Sequence, residues 1–308
     1  LDDRRTIVGV PRQHAMADVG EGRGDVGHHA LEPRRLRHVD PPVVDGQPSA
    51  EQLEHHAPER EEIRGRGRGR PDPQLRRHVA GGAGNQQLAG VAPALRWADL
   101  DGGFRSRFPL PRALITGVRH NFAYEGVTFT PRGDLWVAPE APPTQDGPLP
   151  TAEAGTLIRL TRLDRFGTIQ RQVAYPVDPV WKATPGKRFE LGVSEILWLD
   201  DHRLLVLERA GVEIEGTHWG FHCRLYLADL SRAQDVSALD SLNGADVRSA
   251  TKTLLIDFDA VPGGPVGNIE GMAWAPRGRF SPARPVFVTD NNFDADWTSE
   301  LLVFKFRP

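Results

Sequence analysis

The sequence predicts an all-β fold, a β-propeller-like array that is incomplete at its N-terminal end. Three observations lead there. From about Val91 to the C-terminus, short apolar runs of strand length alternate with turn signals. No segment of that stretch keeps a 3.6-residue apolar period through three turns; residues 231–244, SRAQDVSALDSLNG, come nearest and are short and weakly amphipathic. Finally, one pattern of acid, apolar strand, turn, apolar strand and closing acid is written three times.

The elements follow in order. Residues 1–91 form a segment of their own. All 23 aromatic residues lie at Trp97 or beyond, whereas seven of the eleven histidines lie within residues 1–90, beside repeats such as RGRGRGRP at 64–71. Such a stretch buries too little apolar surface to offset its ordering entropy. Two readings stand for it: a solvated natural tail, or a segment translated out of frame. The second is favoured by composition, since 34 Arg against four Lys points to a GC-rich gene, whose shifted frames yield Arg, Gly, Pro, Ala and His. Neither histidine pair, 28–29 or 55–56, has a framework to make it a metal site. The chain begins at Leu1 with no basic-then-apolar leader.

Residues 92–308 are expected to form the folded domain. LRWADLDGGFRSRFPLP (95–111) reads as strand, Asp-Gly turn and strand. The first copy of the pattern follows, YEGVTFTPRGDLWVAPE at 124–140, and then TLIRLTRLDRFGTIQRQVAYPV at 156–177. The second copy is SEILWLDDHRLLVLER at 194–209, followed by CRLYLADL and KTLLIDFDAV. The third is IEGMAWAPRGRFSPARPVFVTD at 269–290, with ELLVFKF closing the chain. The leading acids Glu125, Glu195 and Glu270 are 70 and 75 residues apart, and the closing acids are Glu140, Glu208 and Asp290. Units of four short strands repeated along a chain are the mark of propeller blades.

Blade-corner acids repeated around one axis repel one another unless positive charge lies among them. A hard cation with oxygen ligands answers that need, so calcium is the expected cofactor. Its ligand set is drawn from Glu125, Glu140, Glu208, Asn268, Glu270, Asp290 and Asn291. Each acid alone reads equally well as a corner residue that accepts backbone N–H bonds or pairs with an arginine. Glu125, Glu195 and Glu270 are the candidate catalytic carboxylates; Arg119, Asn121, Arg209 and Lys252 are candidates for holding an anionic substrate, although Arg209 fits a salt bridge to a repeat carboxylate at least as well. His120, His218 and His222 read first as packing residues. Lone Cys223 reads as a small buried apolar residue.

Several classes are excluded or unsupported. A net charge of -3 and a pI near 6.4 argue against nucleic acid as main partner. No window approaches the roughly 18 apolar residues that span a bilayer. No G-x-S-x-G elbow, HExxH or Walker loop is present, so an enzyme here would activate water rather than carry a nucleophile.

GVRHNFAYEGVTFTPRGDLWVAPE, YPVD, SEILWLDDHRLLVLER, RLYLADL, KTLLIDF and NIEGMAW with VTDNNF together resemble the bacterial "esterase-like activity of phytase" family, in order from about residue 92. The resemblance implies a propeller-like domain, usually exported to the periplasm or beyond, that hydrolyses phosphoric or carboxylic esters. It also implies a small-molecule substrate and a monomer. Members carry a further acid-Gly blade segment upstream, where this chain has its aromatic-free stretch. The rival expectations are a non-catalytic, calcium-stabilised propeller that binds a ligand or partner, and a defunct truncated product.

Overall fold

The computed structural model describes residues 37–38, 78–82, 93–98, 103–215, 218–261, 266–275, 284–292 and 297–304. The histidine pairs and the Arg-Gly repeat of the N-terminal segment lie outside these residues. Among the described residues there is no α-helix, and the only helical pieces are 3-10 turns at Arg112–Leu114 and Phe258–Ala260. The fold is all-β. The 231–244 stretch is a run of turns.

Among the described residues fifteen strands make four sheets. β1 (Arg37–His38) and β2 (His78–Gly82) come from the aromatic-free segment. β2 pairs with β3 (Ala94–Ala98), which pairs with β4 (Phe104–Phe108). The next sheet is a four-strand meander: β5 (Tyr124–Phe129), β6 (Leu135–Pro139), β7 (Thr156–Leu163) and β8 (Ile169–Val177). A second meander follows: β9 (Phe189–Trp198), β10 (Arg203–Glu215), β11 (His218–Asp229) and β12 (Thr251–Asp257). The last sheet is β13 (Ile269–Trp274), β14 (Pro285–Thr289) and β15 (Leu301–Val303), with β1 added in parallel beside β15.

Side-chain alternation explains why the sheets stack. β6 and β10 are apolar on both faces, LWVAP and RLLVLERA, which marks strands covered on both sides. Trp136 and Ala138 of β6 join Leu204, Val206 and Ala210 of β10 in one core, between the β5–β8 and β9–β12 sheets. Leu205 and Leu207 of β10 turn the other way and pack with Phe287 and Leu302 of the last sheet. Leu135 and Val137 of β6 face Leu95 and Phe108 of the β2–β4 sheet. Adjacent residues therefore feed different cores, and first strands β2, β5, β9 and β13 touch in succession.

Candidate functional site

Each of the three repeated first strands carries a β-bulge at its acid motif, and the bulges are not equivalent. In β5 Glu125 is the extra residue, between the pairs Tyr124↔Pro139 and Gly126↔Ala138. In β13 Glu270 is the extra residue, between Ile269↔Thr289 and Gly271↔Val288. In β9 the bulge moves back by one, so Ser194 is extra and Glu195 pairs with Leu207. One residue of register turns a side chain to the opposite side. Glu125 and Glu270 are accordingly half-buried, whereas Glu195 is sealed at the crossing of the three strands. Its Oε1 accepts hydrogen bonds from Val127 N of β5 at 3.1 Å and from Ile196 N of β9 at 2.9 Å, and Met272 N of β13 also donates to the carboxyl. Burial pushes the pKa of this carboxyl well above the usual range against the pull of its backbone N–H donors, and the side chain braces three strands. Gly126 allows the approach: a Cβ there would meet Ile196 N and Ala138 Cβ at 3.1 Å.

The closing acids divide between the two faces of the middle sheet. On the face toward the last sheet lies Arg209, 3% exposed. Its Nη2 donates to Glu140 Oε1 at 3.0 Å and its Nη1 to Asn268 Oδ1 at 2.9 Å, while Glu270 Oε1 lies 3.3 Å from Nη1. Asn268 in turn donates from Nδ2 to Glu270 Oε1 at 2.8 Å, and Asp290 N donates to the Asn268 carbonyl. Phe221 lies under the guanidinium at 5.1 Å. Gly192 makes room for Glu140, since a Cβ there would fall 2.4 Å from Glu140 Cγ. Residues from three sheets thus converge on one arginine.

On the opposite face the cation is Lys252. Its Nζ lies 2.5 Å from Glu208 Oε1 and 2.7 Å from Asp178 Oδ1. Tyr175 donates its hydroxyl to Glu208 Oε1 at 2.7 Å, and Tyr226 donates to Asp178 Oδ2 at 2.5 Å. The ammonium also sits over the Tyr226 ring at 4.2 Å. Burial raises Glu208 against the pull of Lys252, and burial raises both phenols. Along the same face, β11 presents Arg224, which bonds Asp257 at 3.1 Å and stacks on Trp181 at 4.4 Å.

The remaining sequence candidates are spread more widely. Arg119 clamps a loop, donating to the carbonyls of Pro142 and Gly147. Asn121 sits in the left-handed region at φ 61° beside it. Asn291 follows Asp290, whose carboxylate accepts from Asn292 N at 3.0 Å. His120 and His218 are exposed, while Cys223 is buried with its thiol pushed up to about 12. Among the described residues, no three His, Cys, Asp or Glu side chains come together as a metal-holding group. The positive charge between Glu140 and Glu270 is Arg209, and between Glu208 and Asp178 it is Lys252.

Tyr175, Asp178 and Tyr226 escaped sequence reasoning, although YPVD and RLYLADL pointed at their segments. Asp146 escaped entirely. It holds Arg159 by two bonds of 2.8 and 2.9 Å, and Arg159 also donates to the Val236 and Leu239 carbonyls, pinning the long β11–β12 connection.

Residues 78–293 match the model of the Phytase-like family, described as esterase-like activity of phytase. No curated protein and no solved structure matches the chain. The match covers more than half of the sequence, begins inside the aromatic-free segment at the start of β2, and encloses both ionic clusters. The chain belongs to the Phytase-like family.

Proposed function

We propose that this Phytase-like chain hydrolyses phosphoric or carboxylic esters of small molecules, on four sheets arranged as blades of a propeller. The carrying observation is Arg209, buried and bound to Glu140, Asn268 and Glu270 from two neighbouring sheets. That arrangement fixes Glu270, 14% exposed, at the end of a first strand with its orientation set by a guanidinium and an amide. A carboxylate so held takes a proton from water as the water oxygen bonds to the ester's carbon or phosphorus. The ester C–O or P–O bond then breaks, and the leaving alkoxide recovers the proton. Glu125, the matching bulge residue of β5, serves as the second carboxylate of the site, and Glu195 braces both. Arg119 and Asn121 complete the proposed substrate-binding set; Lys252, on the opposite face of the middle sheet and bound to Glu208 and Asp178, lies apart from it.

Calcium enters this reading in a narrower form than the repeat implied. Guanidinium and ammonium groups already lie between the carboxylates at Glu140, Glu208 and Glu270, so those three do not fit it. Of the expected set, Glu125, Asp290 and Asn291 are the oxygen donors this reading assigns to calcium, which would supply positive charge. The family resemblance further supports export. Among the described residues no helix is long and apolar enough to cross a membrane.

The test is an assay of the full chain on p-nitrophenyl phosphate and p-nitrophenyl acetate, before and after EDTA. Turnover of either is expected, with the phosphate turnover reduced about 100-fold in Glu270→Gln. Turnover of neither by folded protein with calcium present refutes the reading. The second reading, a non-catalytic ligand-binding propeller, draws on the way both clusters tie sheets together. It expects Glu270→Gln to lower the melting temperature with no turnover to lose.

A further inference from the structure

Beside the Lys252 cluster, on the same face of β11, lies a group the family resemblance did not single out. His222 Nδ1 is 2.9 Å from both carboxylate oxygens of Asp259. An ionised carboxylate only accepts, so Nδ1 carries the proton and Nε2 is the basic nitrogen. Nε2 has no hydrogen-bond partner among the described residues, and the His222 side chain is 25% exposed. The nitrogen looks toward Gly220, where a Cβ would come within 3.7 Å of it.

Register defines what surrounds that nitrogen. His222 pairs with Ala210 and Ala210 with Leu191; Gly220 pairs with Val212 and Val212 with Phe189. Cross-strand partners share a face. Leu191, Ala210 and Val212 of these rows are buried, so the apolar side chain open to a ligand beside them is Phe189, 37% exposed. The connection from β8 to β9 borders it: Lys182, held in the left-handed region at φ 66°, brings Nζ to 3.6 Å from Asp259. A non-glycine residue in that conformation is retained where its surroundings impose it. The charges near His222 cancel, Lys182 and Arg224 against Asp257 and Asp259.

We infer that His222, oriented by Asp259, is the general base of a second centre that hydrolyses neutral carboxylic esters with an apolar acyl or aryl group. Two cations matched by two carboxylates leave no surplus positive charge to hold a phosphate dianion, whereas the exposed Phe189 ring suits a neutral ester with an apolar group. In the reaction His222 Nε2 takes a proton from water as the water oxygen bonds to the acyl carbon. Asp259, itself paired with Lys182 Nζ at 3.6 Å, balances the imidazolium. The acyl C–O bond breaks, the alkoxide takes the proton from Nε2, and acid and alcohol leave. This centre is separate from the first-strand carboxylates; Asp259 is a positioning residue.

The experiment measures p-nitrophenyl acetate hydrolysis by the full chain, its His222→Ala and His222→Gln variants and Asp259→Asn, with p-nitrophenyl phosphate run in parallel. The expected result is wild-type turnover of the acetate that falls at least 100-fold in both His222 variants. Added imidazole should restore part of the rate in His222→Ala, a readout that a merely structural loss does not give. Asp259→Asn should lower kcat with KM little changed. Wild-type turnover of the acetate that persists within threefold in either folded His222 variant overturns the inference and leaves the general ester-hydrolase reading standing. Phosphate turnover without acetate turnover does the same. Turnover of neither ester overturns both.

Discussion

Glu208 and Arg209 are neighbours in β10, yet they serve opposite faces of the middle sheet and two kinds of polar cluster. The Arg209 side is dry and rigid in its demands: a guanidinium always charged, a carboxylate at 3.0 Å, and an amide closing the set. The Lys252 side is wetter and more adaptable. Asp178 keeps 29% of its side chain exposed, and Glu208 has a raised affinity for its own proton. A buried arginine cannot shed its charge, whereas a carboxyl with a raised pKa can become neutral when its partner goes. The clusters should therefore answer differently to the same insult.

The largest effect is expected from Arg209→Ala. It strands Glu140 in a buried site and should destabilise the fold by about 3–5 kcal/mol, read as a shift in the urea midpoint. A loss under about 1 kcal/mol would mean the Arg209 face is as adaptable as the other. Lys252→Ala comes next, at about 1–3 kcal/mol, because Glu208 can take up a proton and Asp178 can hydrate. A loss equal to that of Arg209→Ala would erase the contrast.

The third prediction uses pH. Glu195 and Glu208 both have folded-state pKa values raised above the ordinary glutamate value of 4.5, chiefly by burial. The folded state thus holds protons that the unfolded state releases. Their favourable contribution is full below about pH 4.5 and is lost as pH rises through the folded values. Stability should fall as pH rises above that point, and Glu195→Gln, which cannot ionise, should flatten the fall in a series of melting curves. An unchanged slope would show that Glu195 is not the proton holder. The smallest effect is the surface baseline: Arg132→Ala breaks a 3.7 Å pair with Asp201, exposed on both sides, and should change stability by no more than about 0.5 kcal/mol.

Much of this was legible in the sequence, in an uneven way. The all-β class followed from apolar runs and turn signals because strand burial on two faces writes itself as LLVL and LWVA. From sequence Arg209 reads as a substrate holder or as a salt-bridge partner of a repeat carboxylate, and it pairs with two of them, Glu140 and Glu270. The positive charge expected among the repeated acids proved to include two of the chain's own side chains. The different fate of Glu195 was not foreseen, since register is decided by pairing between distant strands, although Ile196 in place of the glycine that follows Glu125 and Glu270 was a visible clue. Asp146, Asp178 and Asp259 left no periodic trace. Their partners lie in other segments, and only the stacked sheets bring them together.

Arg209 also sets an order of events during synthesis. Glu140 precedes it in the chain, but Asn268 follows 59 residues later. At ribosomal rates of roughly 5–20 residues per second, about 3–12 seconds pass before that partner emerges. Until then the nascent chain carries a guanidinium with half its cage unbuilt, beside Leu205, Leu207, Cys223 and Leu225 awaiting their cover. Through that interval these apolar side chains stay uncovered, and a chain cut short before residue 268 would keep them so.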